Sequence, residues 1–150
     1  MITGAASGIG LAVSASLADR GMRVCMADVD ASALEAARAA LADRVPGGES
    51  DVMAVVTDVG DRASVERLAE AVYHQLGEVA VLMNNAAVFA RGRAYQDAES
   101  WERILSVNLN GIVHGLQAFV PRMLEQETPC RIVNTGSKQG ITNPPGNAAY

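Results

Sequence analysis

Two kinds of hydrophobic pattern alternate along this chain. Short, nearly continuous apolar runs occupy Met1–Thr3, Met22–Ala27, Val52–Val59, Val79–Asn85 and Arg131–Asn134. Runs of this length, rich in β-branched residues and bounded by glycine or polar residues, predict strands. Between them lie longer stretches whose apolar residues recur every three or four positions. Ile9–Arg20 predicts a helix with Ile9, Val13 and Leu17 on its packing side and Gly21 as its stop. Ala31–Arg44 is an alanine-rich helix, and Asp61–Leu76 a helix capped by Asp61 and ended by Gly77. Glu99–Glu125 predicts one long helical stretch, and the Gly, Pro and Asn of 135–147 predict a loop.

The order is strand–helix repeated four times, then strand and loop. That order predicts an α/β fold, a doubly wound parallel sheet with helices on both faces. Continuous apolar strands agree with it, because doubly covered strands have no solvent face. In such sheets ligands bind outside the carboxyl ends of the strands. Those ends read TGAASGIG, ADVD, TDV, NNAA and NTGS. Each is rich in small or polar residues, which suits a site better than a packed edge.

Composition narrows the picture. With 150 residues, 49% apolar and 19% charged, the chain has the make-up of a single globular domain. Net charge is −5, and the single lysine, Lys138, stands among scattered arginines with no basic cluster. Nucleic acid is therefore not an expected partner, since phosphate neutralisation needs clustered cations. No stretch approaches the length of a membrane span, and no secretory leader is visible. Cys25 and Cys130 each sit in an apolar run and are expected as buried free thiols in a reducing cytoplasm.

The first strand end carries the most chemistry. Gly4, Gly8 and Gly10 fall between a strand and a helix. Glycine there lets the turn take strained angles and lets a phosphate approach backbone N–H groups at the helix start. The spacing G-x-x-x-G-x-G is neither a P-loop nor G-x-G-x-x-G. Asp28 ends the second strand, eighteen residues after Gly10. An acid at that place can bond the adenosine ribose hydroxyls and repel a 2′-phosphate, which favours NAD over NADP. Asp30 suits the cap of the following helix better, leaving Asp28 free.

Together, TGAASGIG, ADVD, TDV, NNAA, VNLNG and IVN-TGS…Y resemble the short-chain dehydrogenase/reductase family in its commonest, Rossmann-like form. The resemblance spans the whole chain in the family's order. It implies that Gly4, Ser7, Gly8, Ile9 and Gly10 cradle the pyrophosphate and that Asp28 selects the ribose. It implies that Asp58 and Val59 border the adenine, and that Asn85 and Ala86 line the nicotinamide side. The family's Asn-Asn-Ala-Gly is here Asn84-Asn85-Ala86-Ala87, one methyl larger at its last position. Ser137 precedes Tyr150 by thirteen residues, the family's spacing for its catalytic pair. A phenol is a poor base at neutral pH unless nearby positive charge stabilises the phenolate. In the family that charge comes from the oxidised nicotinamide and a lysine four residues after the tyrosine. Ser137 would orient the substrate oxygen, and Asn108, on a helical face with Ile104 and Ile112, would hold a water in a proton relay.

The implied activity is hydride transfer between NAD(H) and a secondary alcohol or ketone, a small-molecule substrate. The family's lysine and last strands would lie beyond Tyr150, and only three residues precede Gly4. Residues 1–150 are thus expected to be a single dinucleotide-binding domain, a fragment truncated at both ends and inactive as written. A non-catalytic dinucleotide-binding or interaction module is the alternative. The full-length parent is expected to be a homo-oligomer, with Glu99–Glu125 forming half of a subunit interface.

Other signals point elsewhere less strongly. His74 and His114 lack partners at metal-ligand spacing, so no metal is expected. Ala33 stands where a calcium loop beginning at Asp28 needs glycine, and no G-x-S-x-G surrounds Ser7 or Ser137. Trp101, Phe119 and Met123 read as helix core, and Arg91 and Arg93 as solvated loop charges.

Overall fold

The structure, a computed structural model, describes residues 1–89, 95, 98–142 and 148–150. Arg91, Gly92 and Arg93, and residues 143–147 of the loop expected over 135–147, lie outside the described residues.

Five parallel strands form one sheet in the order β3-β2-β1-β4-β5. They are β1 (Ile2–Thr3), β2 (Val24–Asp28), β3 (Val52–Val56), β4 (Val81–Asn84) and β5 (Arg131–Asn134). The helices are α1 (Gly8–Ala18), α2 (Ala31–Ala42), α3 (Arg62–Leu76), α4 (Ala98–Ile104), α5 (Gly111–Glu125) and α6 (Gln139–Thr142). The chain runs outward from β1 to β3, then returns to place β4 on the other side of β1. That reversal opens a crevice outside the carboxyl ends of β1 and β4, where open α/β sheets bind ligands.

Alternate residues of each inner strand feed opposite cores, as a pleated strand requires. Cys25, Ala27 and Leu82 pack with Leu68, Val72 and Phe119 of α3 and α5. Ile2, Val24, Met26 and Met83 pack with Leu34 and Leu41 of α2 and with α1. The helix starts follow local chemistry. Asp30 Oδ1 accepts the Ala33 N–H at 2.9 Å and Asp61 Oδ1 the Ala63 N–H at 3.0 Å, each relieving an orphan donor. Gly77 ends α3 with φ of 81°.

Several elements differ from the pattern's expectation. The buried face of α1 is Gly10, Ser14 and Ala18, with Ile9 61% exposed. Small residues face the sheet because α1 lies against the Gly4 turn, where a Cβ on Gly10 would collide with the Gly4 carbonyl oxygen. The long helical stretch is not uniform: a π-helical turn, Leu105–Asn110, joins α4 to α5. The expected loop after β5 contains the single turn of α6, started by Ser137, whose Oγ accepts the Gln139 N–H. Trp101 and Cys130 are half-buried rather than core. β5 is apolar in sequence yet exposed along its length, Ile132 at 42% and Val133 at 44%. Among the described residues it has one strand neighbour, and none of its residues enters either core cluster.

Candidate functional site

The glycine turn leaves β1 and enters α1. Gly4 and Gly8 have φ of 63° and 53°, the left-handed region that glycine alone adopts without strain. Gly4 is doubly required, since a Cβ there would stand 2.8 Å from the Ala86 Cα. A Cβ on Gly8 would meet no atom within 4 Å, so the turn presents bare backbone to open space. Beyond it, the first N–H groups of α1 have no intrahelical acceptor and carry the positive end of the helix dipole. No acidic side chain occupies that first turn.

Asp28 closes one side. Its carboxylate is not free: Oδ2 accepts the Ala6 N–H at 3.0 Å and Oδ1 the Asp30 N–H at 3.1 Å. It therefore ties the glycine turn to the end of β2 while keeping further lone pairs available. At the end of β3, Asp58 receives the Gly60 N–H at 2.9 Å, and Ser64 Oγ receives the Asp58 N–H at 3.2 Å.

A polar ladder joins the ends of β1, β4 and β5. Thr3 Oγ1 accepts the N–H groups of Asn85 and Ala86 at 2.9 and 3.0 Å. Asn85 Nδ2 donates to the Thr3 and Gly4 carbonyls at 3.0 and 3.3 Å, and its Oδ1 accepts from the Thr135 hydroxyl at 3.1 Å. Asn84 Nδ2 donates to Asn134 Oδ1 at 2.8 Å. Among the described residues the buried Asn84 Oδ1 has no hydrogen-bond partner, and it faces Gly115 of α5, where a Cβ would overlap it.

These strand ends enclose a cleft of about 540 Å³, a volume typical of small-molecule sites. Gly4, Ser7, Gly8 and Ile9 line it with Asp28, Asp58 and Val59, and Asn85, Ala86, Ser137 and Tyr150 close the other side. Gly10 lies behind the Gly4 turn instead. Asn108 borders a side cavity of about 200 Å³, together with Asn84, Ser137 and Tyr150. Its amide is already engaged: Oδ1 accepts the Val88 N–H at 2.8 Å and Nδ2 donates to the Val88 carbonyl at 3.0 Å. The Tyr150 ring meets the Phe89 ring edge-on, centroids 5.4 Å apart. Nothing in the local pattern singles out Val88 or Val107, which also line the cleft, as do Thr57 and Thr135 of the TDV and NTGS strand ends. Among the described residues no group of three His, Cys, Asp or Glu side chains is placed to hold a metal ion, and no helix is long and apolar enough to cross a membrane.

A family model described as short chain dehydrogenase matches residues 1–150. The chain belongs to that family. It is 40% identical to a 1-deoxy-11-beta-hydroxypentalenate dehydrogenase of Streptomyces exfoliatus, covering all of this chain and 54% of that protein. A solved short chain dehydrogenase/reductase from Burkholderia phymatum in complex with NAD superposes with a TM-score of 0.93 at 40% identity, over 99% of this chain and 52% of that one. An NADPH-bound short chain oxidoreductase from Pseudomonas aeruginosa PAO1, described as containing an atypical catalytic center, gives 0.90 at 32% identity, over 99% and 57%. The chain thus spans about half the length of the relatives it matches.

Proposed function

We propose that residues 1–150 act as the dinucleotide-binding part of an oxidoreductase that moves a hydride between NAD(H) and a secondary alcohol or ketone. One observation carries this reading: the glycine turn, Asp28, Ser137 and Tyr150, scattered along the sequence, line one cleft at the reversal point of the sheet. The residues fit the cofactor. Bare backbone at Gly8 and the free N–H groups of α1 suit a pyrophosphate, and Asp28 suits ribose hydroxyls. Its carboxylate would repel a 2′-phosphate, which supports NAD over NADP, although relatives with each cofactor are known.

When bound, the nicotinamide supplies or accepts the hydride. The chain's own residues handle the proton and the geometry. In this reading the Tyr150 hydroxyl gives a proton to the substrate oxygen or takes it, and the Ser137 hydroxyl donates a hydrogen bond that orients that oxygen. Asn85 and Ala86 carry the nicotinamide wall. Asn108 holds that wall through Val88, and only the second hydrogen of its Nδ2 or a further lone pair of its Oδ1 remains for a relay water.

Two further features fit. Leu105, Leu109 and Val113, one helical turn apart, are 40%, 55% and 40% exposed, which supports α4–α5 as one side of a homo-oligomer interface. The unpaired thiols of Cys25 and Cys130 suit a reducing cytoplasm.

Calorimetric titration tests the reading. NAD is expected to bind at least about tenfold more tightly than NADP, a difference that Asp28→Asn narrows. In the full-length parent, Tyr150→Phe should leave NAD binding intact and lower hydride transfer at least about a hundredfold. Equal affinity for the two cofactors would remove Asp28 as the selector. Full activity in Tyr150→Phe would remove the tyrosine as the acid/base.

A further inference from the structure

We propose that His114 is a positioning residue for the adenine end of the cleft, acting through the Val59–Gly60 peptide on Asp58. The inference rests on the dinucleotide reading above and extends it to a residue outside the cleft.

Asp58 and Val59 line the cleft at the end of β3. Asp58 is exposed. What holds it is the Gly60 N–H, which donates to Oδ1 at 2.9 Å. That N–H belongs to the same peptide unit as the Val59 carbonyl. The Val59 carbonyl oxygen stands 2.9 Å from Nδ1 of the half-buried His114 on α5. A carbonyl only accepts, so Nδ1 carries the hydrogen. In a trans peptide the C=O and N–H point to opposite sides of one rigid plane. His114 therefore grips one edge of this plate while the Asp58 carboxylate is held at the other.

Glycines make the grip possible. A Cβ on Gly111 would lie 2.8 Å from Val59 Cγ2, and a Cβ on Gly60 would press on the Ser106 hydroxyl. The same helical stretch grips the opposite wall, since Asn108 bonds both the N–H and the carbonyl of Val88. Residues 106–114 thus brace the cleft at both ends, with His114 serving the Asp58 end. Gly60 uses one of the carboxylate's lone-pair sites and leaves others to accept from an exocyclic amine such as that of adenine.

The test separates the two ends of the cofactor by titrating the protein with ADP-ribose and with nicotinamide mononucleotide. His114→Phe keeps a flat ring without the donor; His114→Leu is a second donor-free variant. His114→Asn places an amide N–H where Nδ1 stood. Either donor-free variant should weaken ADP-ribose binding about five- to tenfold, the size of one lost orienting hydrogen bond, and leave the mononucleotide within about twofold. His114→Asn should restore ADP-ribose to within about twofold of the parent. On an Asp58→Ala background the loss of His114 should have no further effect, because the two act in series. Unchanged ADP-ribose affinity in the donor-free variants, or equal weakening of both ligands, would overturn the proposal. Failure of the unmodified protein to bind ADP-ribose would instead overturn the dinucleotide reading, and this inference with it.

Discussion

At the ends of β1 and β2 the wall of the cleft is backed by two layers of packed side chains, whereas at the end of β5 it is backed by almost none. Ile2, Val24, Cys25 and Met26 are 0–1% exposed, while Ile132 and Val133 of β5 are more than 40% exposed. On the first side position comes from packing. Gly4 and Gly10 are packed so closely that a methyl group on either is excluded, while Gly8 faces open space. On the second side position comes from directed bonds: Asn84 to Asn134, Thr135 to Asn85, and the parallel pairing of β5 with β4. One cleft is thus held mainly by burial, with the two Asp28 hydrogen bonds, at its glycine-turn wall and by hydrogen bonds at its Ser137 wall.

Substitutions can break or sharpen this contrast. The largest effect is expected from Gly10→Ala, whose methyl would press on the Gly4 carbonyl oxygen. Because backbone cannot give way there as a side chain would, it should cost about 3–5 kcal/mol in urea unfolding. A cost under about 1 kcal/mol would show that the turn is not wedged. Next comes a matched pair. Leu34→Ala, in the α2 core at 1% exposure, should cost about 3 kcal/mol, and Ile132→Ala on β5 less than about 1 kcal/mol. Equal losses would mean that β5 carries burial comparable to that of the inner strands.

The smallest effect concerns Cys25 in the packed region. Burial pushes its thiol from the ordinary value of 9.0 up to about 12, with the nearby amino terminus opposing the shift. The folded state then keeps a proton that the unfolded chain releases. This contribution to stability is fully present below about 9 and is lost as pH rises toward about 12. Between about pH 8 and pH 10 the parent should lose about 1 kcal/mol more than Cys25→Ala, read from urea midpoints. Identical alkaline slopes would show that the thiol is not desolvated.

Much of the architecture was legible in the chain. Apolar runs separated by amphipathic stretches led to the five parallel strands, and Asp30, Asp61 and Gly77 stand at the helix ends where their side chains or φ angles suit them. These features depend on neighbours within a turn or two, so local pattern carries them. The packing face of α1 was legible only in part: Val13 and Leu17 pack against the core as expected, but Ile9 is exposed and the fully buried positions are Gly10, Ser14 and Ala18, because small and larger apolar residues around the helix give no strong periodic contrast. Nor was the π-helical turn. It accompanies the bidentate grip of Asn108 on Val88, a segment twenty residues earlier.

The order of elements, the layering and the glycine turn followed from the sequence alone, because burial periodicity and backbone permissiveness act over short distances. Which polar groups meet at the strand ends was decided only by the tertiary structure. Thr135 finds Asn85 across 50 residues, and His114 finds Val59 across 55. No local preference encodes such pairs; they exist because the crossovers bring separate strand ends and one helix into a single layer of contact. Polar atoms there take the partners within reach.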